Sequence, residues 1–116
     1  MMKFYQVGDD ILFAENTIEN LKEIVPNTED AALEKHVPVI TINPDSVDVA
    51  VGSVPHPTLP EHHIEWILLE TASGWQFKRL QPGKPAQARF LVDEPVLAAY
   101  EYCNIHGLWR ADAPQK

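Results

Sequence analysis

The sequence predicts an all-β protein, an antiparallel β-sandwich of about seven strands, and two observations support this prediction. Short stretches rich in β-branched and aromatic residues are separated by turns rich in proline, glycine and asparagine. Helix-like spacing of apolar residues is almost absent from the chain. At 116 residues the chain is long enough for one domain with a substantial core.

The predicted strands alternate with turns from residue 37 onward. Their ranges are 37–42, 46–51, 64–70, 75–80, 87–92, 96–103 and 108–111. In the second of these, Val47, Val49 and Val51 fall on one face, as strand geometry requires. The pattern before residue 37 is weaker. Residues 4–7 and 11–14 resemble a hairpin, and 16–25 has the spacing of a short helix that Pro26 ends. We therefore expect a short irregular N-terminal segment before the sandwich.

Composition and charge exclude several functional classes. The formal net charge is -8 and the pI is near 4.9, which argues against a nucleic-acid partner. No apolar run approaches the roughly 20 residues of a membrane helix, and the N-terminus lacks the apolar core of a signal peptide. We therefore expect a cytoplasmic protein. The single cysteine, Cys103, excludes an intramolecular disulfide.

Candidate metal ligands centre on a Cys-x-x-His turn formed by Cys103 and His106, which Gly107 follows. A thiolate and an imidazole at this spacing can bind one metal ion, but two ligands are too few for a tight site. The other histidines fall in loops or near the ends of predicted strands: His36, His56, His62 and His63. Because the loops of a sandwich cluster at its two ends, these residues can converge there. If His62 faces a metal, its strand neighbour His63 points away.

Several metals and one metal-free interpretation fit this set of residues. Structural zinc needs a closed tetrahedron, usually with more sulfur. Blue copper uses two histidines, one cysteine and a weak axial methionine. The only methionines are Met1 and Met2, but a cupredoxin-like electron-transfer protein on a β-sandwich is the main alternative. Four imidazoles and one thiolate suit iron with one open position. The third interpretation is a metal-free interaction module in which Cys103 is a small buried hydrophobic residue.

Three sequence blocks carry a more specific signal when they are taken together and in order. They are Glu34-Lys35-His36-Val37-Pro38-Val39-Ile40, then His56-Pro57 with His62-His63-Ile64-Glu65-Trp66-Ile67, then Cys103-Asn104-Ile105-His106-Gly107-Leu108-Trp109. This combination resembles the superoxide reductases, also called desulfoferrodoxins and neelaredoxins. The similarity runs from about Val25 to Arg110 and implies an immunoglobulin-like sandwich.

The resemblance also implies an activity, the one-electron reduction of superoxide to hydrogen peroxide at a mononuclear non-haem iron that alternates between Fe2+ and Fe3+. It implies four imidazoles in a plane around the iron and one axial thiolate: His36, His56, His62, His106 and Cys103. Glu34 and Lys35 match the family's mobile pair beside the open position. The family's usual electron donor is rubredoxin, and its members form dimers or tetramers.

The sequence departs from the family pattern in two places. Thr58 stands where the family often has a methionine that is not a ligand. Residues 1–25 resemble the start of the rubredoxin-like domain of longer members, but without its cysteines. We therefore expect a residual N-terminal segment at 1–25 and an iron-binding β-sandwich domain at 26–116.

Overall fold

The computed structural model describes residues 2–114 and contains ten strands and one short helix within that range. The elements are β1 (Lys3–Val7), β2 (Asp10–Ala14), β3 (Lys22–Ile24), α1 (Leu33–His36), β4 (Pro38–Ile42), β5 (Ser46–Val51), β6 (Ile64–Thr71), β7 (Trp75–Arg79), β8 (Gln87–Leu91), β9 (Val96–Cys103) and β10 (Gly107–Asp112). No helix among these residues has the length and apolar character that a membrane span requires.

Seven of these strands form the sandwich, which confirms the predicted fold class. One sheet has the order β10-β9-β6-β7 and the other the order β4-β5-β8, and all neighbouring strands are antiparallel. Alternate residues of each strand point between the two sheets, so the valines of β5 pack there as the sequence predicts. Phe90, Ile67 and Cys103 are buried in the same core.

The N-terminal region is ordered as a three-stranded sheet, β2-β1-β3, and not as the irregular segment that we expected. The β1–β2 hairpin agrees with the prediction, but the helix predicted at 16–25 is wrong, because β3 lies there and pairs with β1. This sheet covers the outer face of the four-stranded sheet. Phe4 packs on Tyr100 at a ring-centroid distance of 4.7 Å, and Phe13 packs on Trp66 at 5.2 Å. Tertiary contacts of this kind outweigh weak local helix propensity.

Side chains protect two edges of the sandwich. Gln76 on β7 donates a hydrogen bond to the carbonyl of Leu91 on β8, and Lys78 donates to the carbonyl of Arg89. At the β10 edge, the side-chain amide of Asn27 donates to the carbonyl of Arg110 at 3.1 Å and accepts from its N–H at 2.8 Å. Unpaired edge groups promote aggregation, so these bonds stabilise a closed sandwich.

Glu101 is a buried acid in the centre of β9. Its side chain is 0% exposed, and neither carboxyl oxygen has a hydrogen-bond partner among residues 2–114. Burial raises the pKa of the Glu101 carboxyl well above its usual value of 4.5. The folded protein therefore holds this group as the neutral acid at pH values where the unfolded chain has released the proton.

Replacing this acid by an amide should stabilise the protein at neutral pH. Between 4.5 and the raised pKa, the folded state binds the extra proton, so the free energy of unfolding falls by about 1.4 kcal/mol per pH unit as the pH rises. Glu101→Gln removes this loss. In urea unfolding, the variant should have a higher free energy of unfolding than the wild type at pH 7 and a similar one at pH 4.5. Glu19→Gln, at an exposed position, is the control and should follow the wild type. If the free energies of unfolding of wild type and Glu101→Gln changed with pH in parallel, this account would be contradicted.

Candidate metal centre

Three chain segments meet at one end of the sandwich and bring five metal-binding side chains together. His36 ends α1, His56 and His62 lie in the connection between β5 and β6, and Cys103 and His106 flank the turn between β9 and β10. One donor atom from each side chain lies within 4.8 Å of every other. We call these five residues the His4Cys cluster. Each of them is a ligand position that the sequence analysis proposed, whereas His63 lies outside the group.

The four imidazoles of the cluster form a closed ring. Successive ring centroids are 4.8 Å apart from His36 to His56, 4.8 Å from His56 to His62, 5.1 Å from His62 to His106, and 4.8 Å from His106 back to His36. Neighbouring rings are nearly perpendicular, with interplanar angles between 73° and 87°. This arrangement directs one nitrogen of each ring toward a shared centre.

Hydrogen bonds fix which nitrogens face that centre. Nδ1–H of His36 donates to the carbonyl of Ala32 at 2.7 Å, and Nδ1–H of His56 donates to the carbonyl of Pro57 at 2.7 Å. A carbonyl can only accept, so Nε2 of each ring carries a lone pair. These two Nε2 atoms are 3.2 Å apart. Two lone pairs at this distance repel each other unless a cation lies between them.

The spacing of the donor atoms fits a transition-metal ion. His36 Nε2 lies 3.1 Å from His106 Nδ1 and 3.2 Å from His56 Nε2. The centre of a square with such sides is about 2.2 Å from each corner, close to the roughly 2.0–2.1 Å of a metal–imidazole bond. Nε2 of His62 is buried and has no hydrogen-bond partner in the described part of the chain, so it is available as the fourth donor.

Burial lowers the pKa of three of these imidazoles, those of His36, His56 and His62, and so favours the neutral form that binds metal. It lowers the pKa of His56 to about 4, although the bond to Pro57 opposes this shift. Burial also lowers the pKa of His36, with the bond to Ala32 opposing. For His62, burial lowers the pKa and positive charge on His106 and Lys35 lowers it further. Protons therefore compete weakly with a metal ion at neutral pH.

The fifth donor, Cys103, approaches the imidazoles from the core. Its Sγ is 3.6 Å from His56 Nε2 and 4.0 Å from His106 Nδ1, and the side chain is 0% exposed. Burial raises the pKa of the Cys103 thiol, and the backbone N–H groups of His106 and Ile105 oppose that shift. Binding a cation here would therefore release the thiol proton. One thiolate and four imidazoles are unlike the two-histidine, one-cysteine set of blue copper.

The loop between β5 and β6 holds the segment that carries Glu34 and Lys35. The carbonyl of Glu34 accepts a hydrogen bond from the N–H of Val54 at 2.8 Å and from Oγ of Ser53 at 3.3 Å. Gly52 lies so close that a Cβ there would be 2.6 Å from the Glu34 carbonyl oxygen. The backbone of α1 is therefore fixed, while the side chains of Glu34 and Lys35, which precede His36 in the chain, are exposed.

One supporting residue has a role that the sequence did not indicate. Trp109 is fully buried, and its ring lies 5.0 Å from the ring of His36. Its Nε1–H donates to the carbonyl of His106 at 3.0 Å. The indole therefore supports two of the imidazoles at once. The only sequence signal was that Trp109 follows His106 by three residues. A tryptophan that merely fills the core would give the same signal.

A β-sandwich that gathers four imidazoles and one cysteine thiol at one end defines a mononuclear metalloprotein. Residues 28–112 match the profile of the desulfoferrodoxin family, and the chain belongs to that family. The resemblance found in the sequence is thus confirmed.

Three relatives illustrate the extent of the similarity. The chain is 48% identical over 94 residues to a desulfoferrodoxin of Clostridium acetobutylicum, covering 81% of this chain and 74% of the relative. The superoxide reductase of Treponema pallidum has a similar structure, with a TM-score of 0.88, 34% identity, and coverage of 97% and 99% of the two chains. The single-iron superoxide reductase of Giardia intestinalis matches with a TM-score of 0.60 and 30% identity, covering 71% of this chain and 99% of its own.

The close contact at Gly52 generates a prediction. Gly52→Ala should displace α1 and with it His36, because the new methyl group would also lie 3.1 Å from the Lys35 carbonyl carbon. We expect a loss of about 1–3 kcal/mol in the free energy of unfolding, typical of overpacking, together with reduced metal content. Gly74→Ala is the control, since a Cβ there would meet nothing within 4 Å. Wild-type metal content in Gly52→Ala would show that the contact does not position α1.

Proposed function

We propose that the His4Cys cluster holds the mononuclear iron at which this chain, a superoxide reductase, reduces superoxide to hydrogen peroxide. The observation that carries this assignment is the convergence of five donor atoms within 4.8 Å in a member of the desulfoferrodoxin family. The iron, when bound, supplies one electron to superoxide, and two protons complete the conversion to hydrogen peroxide. The remaining chemistry belongs to the residues of the chain.

The neutral imidazoles set the charge of the centre. Four uncharged rings and one thiolate contribute a single negative charge, so a ferrous site retains a net charge of about +1 and attracts an anion. This local charge opposes the chain's net charge of -8. Exposed charges are screened beyond about 8 Å at physiological salt. A small anion near the cluster therefore experiences mainly the nearest groups.

Lys35 and Glu34 supply the charged groups of the exposed side. Lys35 lies close enough to His36 and His62 for its positive charge to contribute to their lowered pKa values, after burial and the neighbouring imidazoles. We assign Lys35 to attracting superoxide toward the centre. Glu34, its neighbour on α1, is assigned to covering the exposed side between turnovers. The fixed Glu34 carbonyl restricts this movement to the side chain and the residues before it.

Cys103 is assigned to holding the metal from the core side as a thiolate. The N–H groups of Ile105 and His106 stabilise its negative charge. Because Cys103 is fully buried whereas Lys35 and Glu34 are exposed, a thiolate here would donate electron density to a bound metal without contacting the substrate.

The electron that restores the centre must come from a partner. Cys103 is the only cysteine in the sequence, so a second, four-cysteine iron centre cannot form within these residues. We propose rubredoxin as the donor, a dimer or tetramer as the oligomeric state, and the cytoplasm as the location. We also propose that residues 1–25 act as a structural cover for the iron-binding domain at 26–116, because their sheet buries Tyr100 and Trp66.

Two adjacent histidines provide the experiment that tests the assignment. His62→Ala should lower the iron content well below one per chain and slow superoxide reduction, because it removes a donor from the cluster. His63→Ala is the matched control and should retain iron and activity near wild type. Iron analysis and pulse radiolysis measure the two quantities. Full iron content in His62→Ala, or loss of iron in His63→Ala alone, would contradict the assigned ligand set.

The steering role of Lys35 is tested by salt dependence. Lys35→Ala should lower the second-order rate constant with superoxide and flatten its decrease with ionic strength, because a positive charge on the approach path is lost. Lys22→Ala, an exposed lysine on β3, serves as the control and should keep the wild-type salt dependence. Identical salt dependence in Lys35→Ala and wild type would remove Lys35 from this role.

A further inference from the structure

His62 differs from two of its partners in how its imidazole is held. His36 and His56 each have a ring Nδ1–H bonded to a backbone carbonyl, which fixes the orientation of the ring. No such ring bond is found for His62 among residues 2–114, and its Nε2 is buried without a hydrogen-bond partner. The position of the His62 imidazole therefore depends on how firmly its backbone is held.

The backbone on both sides of His62 is bonded to one residue, Asn104. The side-chain Nδ2–H of Asn104 donates to the carbonyl of Glu61 at 3.0 Å. Its Oδ1 accepts from the N–H of His63 at 2.9 Å, and its own N–H donates to the carbonyl of His63 at 3.2 Å. Three hydrogen bonds from one residue thus bracket His62.

Asn104 lies between two other members of the cluster, Cys103 and His106. Its bonds to residues 61 and 63 therefore tie the loop that carries His62 to the turn that carries the thiol. The N–H and carbonyl of His62 are bonded instead to Leu59, each at 3.0 Å. These bonds anchor the main-chain groups nearest to His62. The bonds from Asn104 also link the β5–β6 loop to the β9–β10 turn.

We propose that Asn104 is a positioning residue that holds His62 at the metal centre through this bracket. The inference rests on the proposed metal centre and adds a residue that is itself neither a ligand nor in contact with substrate. Outer groups that orient metal-bound histidines typically change metal affinity about 10–100-fold when they are removed. The bracket supplies through the backbone the orientation that His36 and His56 obtain through their ring hydrogen bonds.

A double-mutant cycle on the full chain loaded with cobalt(II) tests the proposal. The release rate of cobalt to EDTA is measured for wild type, Asn104→Ala, His62→Ala and the double variant, and the visible spectrum reports coordination. We expect Asn104→Ala to speed release about 10–100-fold and to shift the spectrum toward that of His62→Ala. In the His62→Ala background, the same change should have little further effect, because residues that act through each other are not additive.

Two further variants separate positioning from general loosening. Asn43→Ala is the matched control, because Asn43 bonds Ser46 at 3.1 Å and Asp48 at 3.0 Å in the β4–β5 turn, and it should release cobalt like wild type. Asn104→Asp loses the donor to Glu61 but keeps the acceptor for His63. It should therefore speed release less than Asn104→Ala, and this variant carries the test should Asn104→Ala fail to fold.

The outcomes distinguish this proposal from the one on which it rests. Equal acceleration by Asn104→Ala in both backgrounds, or no acceleration in either, would overturn the positioning role and leave the metal centre standing. A wild-type chain that binds no cobalt would overturn the metal centre and the positioning role together. A spectrum of Asn104→Ala unchanged from wild type would also count against the bracket, since His62 would still be in place.

Discussion

The metal centre depends on one physical constraint, which is that nitrogen lone pairs from different imidazoles are held close together and face one another. Nε2 of His36 and Nε2 of His56 are 3.2 Å apart, and neither nitrogen carries a proton, because both Nδ1 atoms donate to carbonyls. A proton could relieve the repulsion, but burial lowers the pKa of both rings. A metal cation relieves the same repulsion with the rings in their neutral form. The buried thiol of Cys103 adds a donor that becomes anionic when a cation binds. The cluster is therefore more favourable with a metal ion than without one.

The sandwich makes this convergence possible because strand register sets where the three segments end. Ile64 on β6 and Gly107 on β10 are both opposite Cys103 on β9, so the loops before β6 and after β9 leave the sheet at the same level. The third segment, α1, joins them through the close packing of Gly52 against the Glu34 carbonyl. Strand register therefore sets where along the sheet each loop begins, and hydrogen bonds between the loops set the final positions of the donor atoms. Precise metal geometry needs both, since a loop alone would leave donors poorly oriented.

Features that depend on neighbouring residues could be predicted from the sequence, whereas features that depend on contacts between distant segments could not. Strands β5 and β9 have the predicted limits of 46–51 and 96–103, because alternation and flanking turns are local signals. In the N-terminal region the β1–β2 hairpin was predicted, but β3 was not, since β3 exists only through its pairing with β1. The helical turn at Leu33–His36 has no strong local signal, because docking against the Gly52–Val54 turn determines it.

The five residues of the His4Cys cluster, which the structure brings together, could be proposed as ligands because cysteine and histidine in loops are rare enough to carry a signal and because the three blocks together resemble one family. The supporting residues could not be proposed in this way. Asn104 looks like an ordinary turn residue in the sequence, and Trp109 looks like an ordinary core residue. Their roles depend on contacts with residues that are distant in the sequence: Asn104 bonds to Glu61 and His63, and the ring of Trp109 packs on His36. Interactions between loops that are about 40 residues apart in sequence leave no periodic pattern.

The N-terminal sheet has a structural role, because it packs on the outer face of the four-stranded sheet. Its first strand contributes Phe4, which packs on Tyr100, and full burial of such a side chain stabilises a fold by about 1.5–3 kcal/mol. Exposing the aromatic face beneath it would create an apolar patch of the kind that drives association. The N-terminal sheet therefore acts as a cover for this apolar face. Under the proposed function, the electron that restores the centre comes from a partner, while Cys103 is buried in the core and Glu34 and Lys35 are exposed.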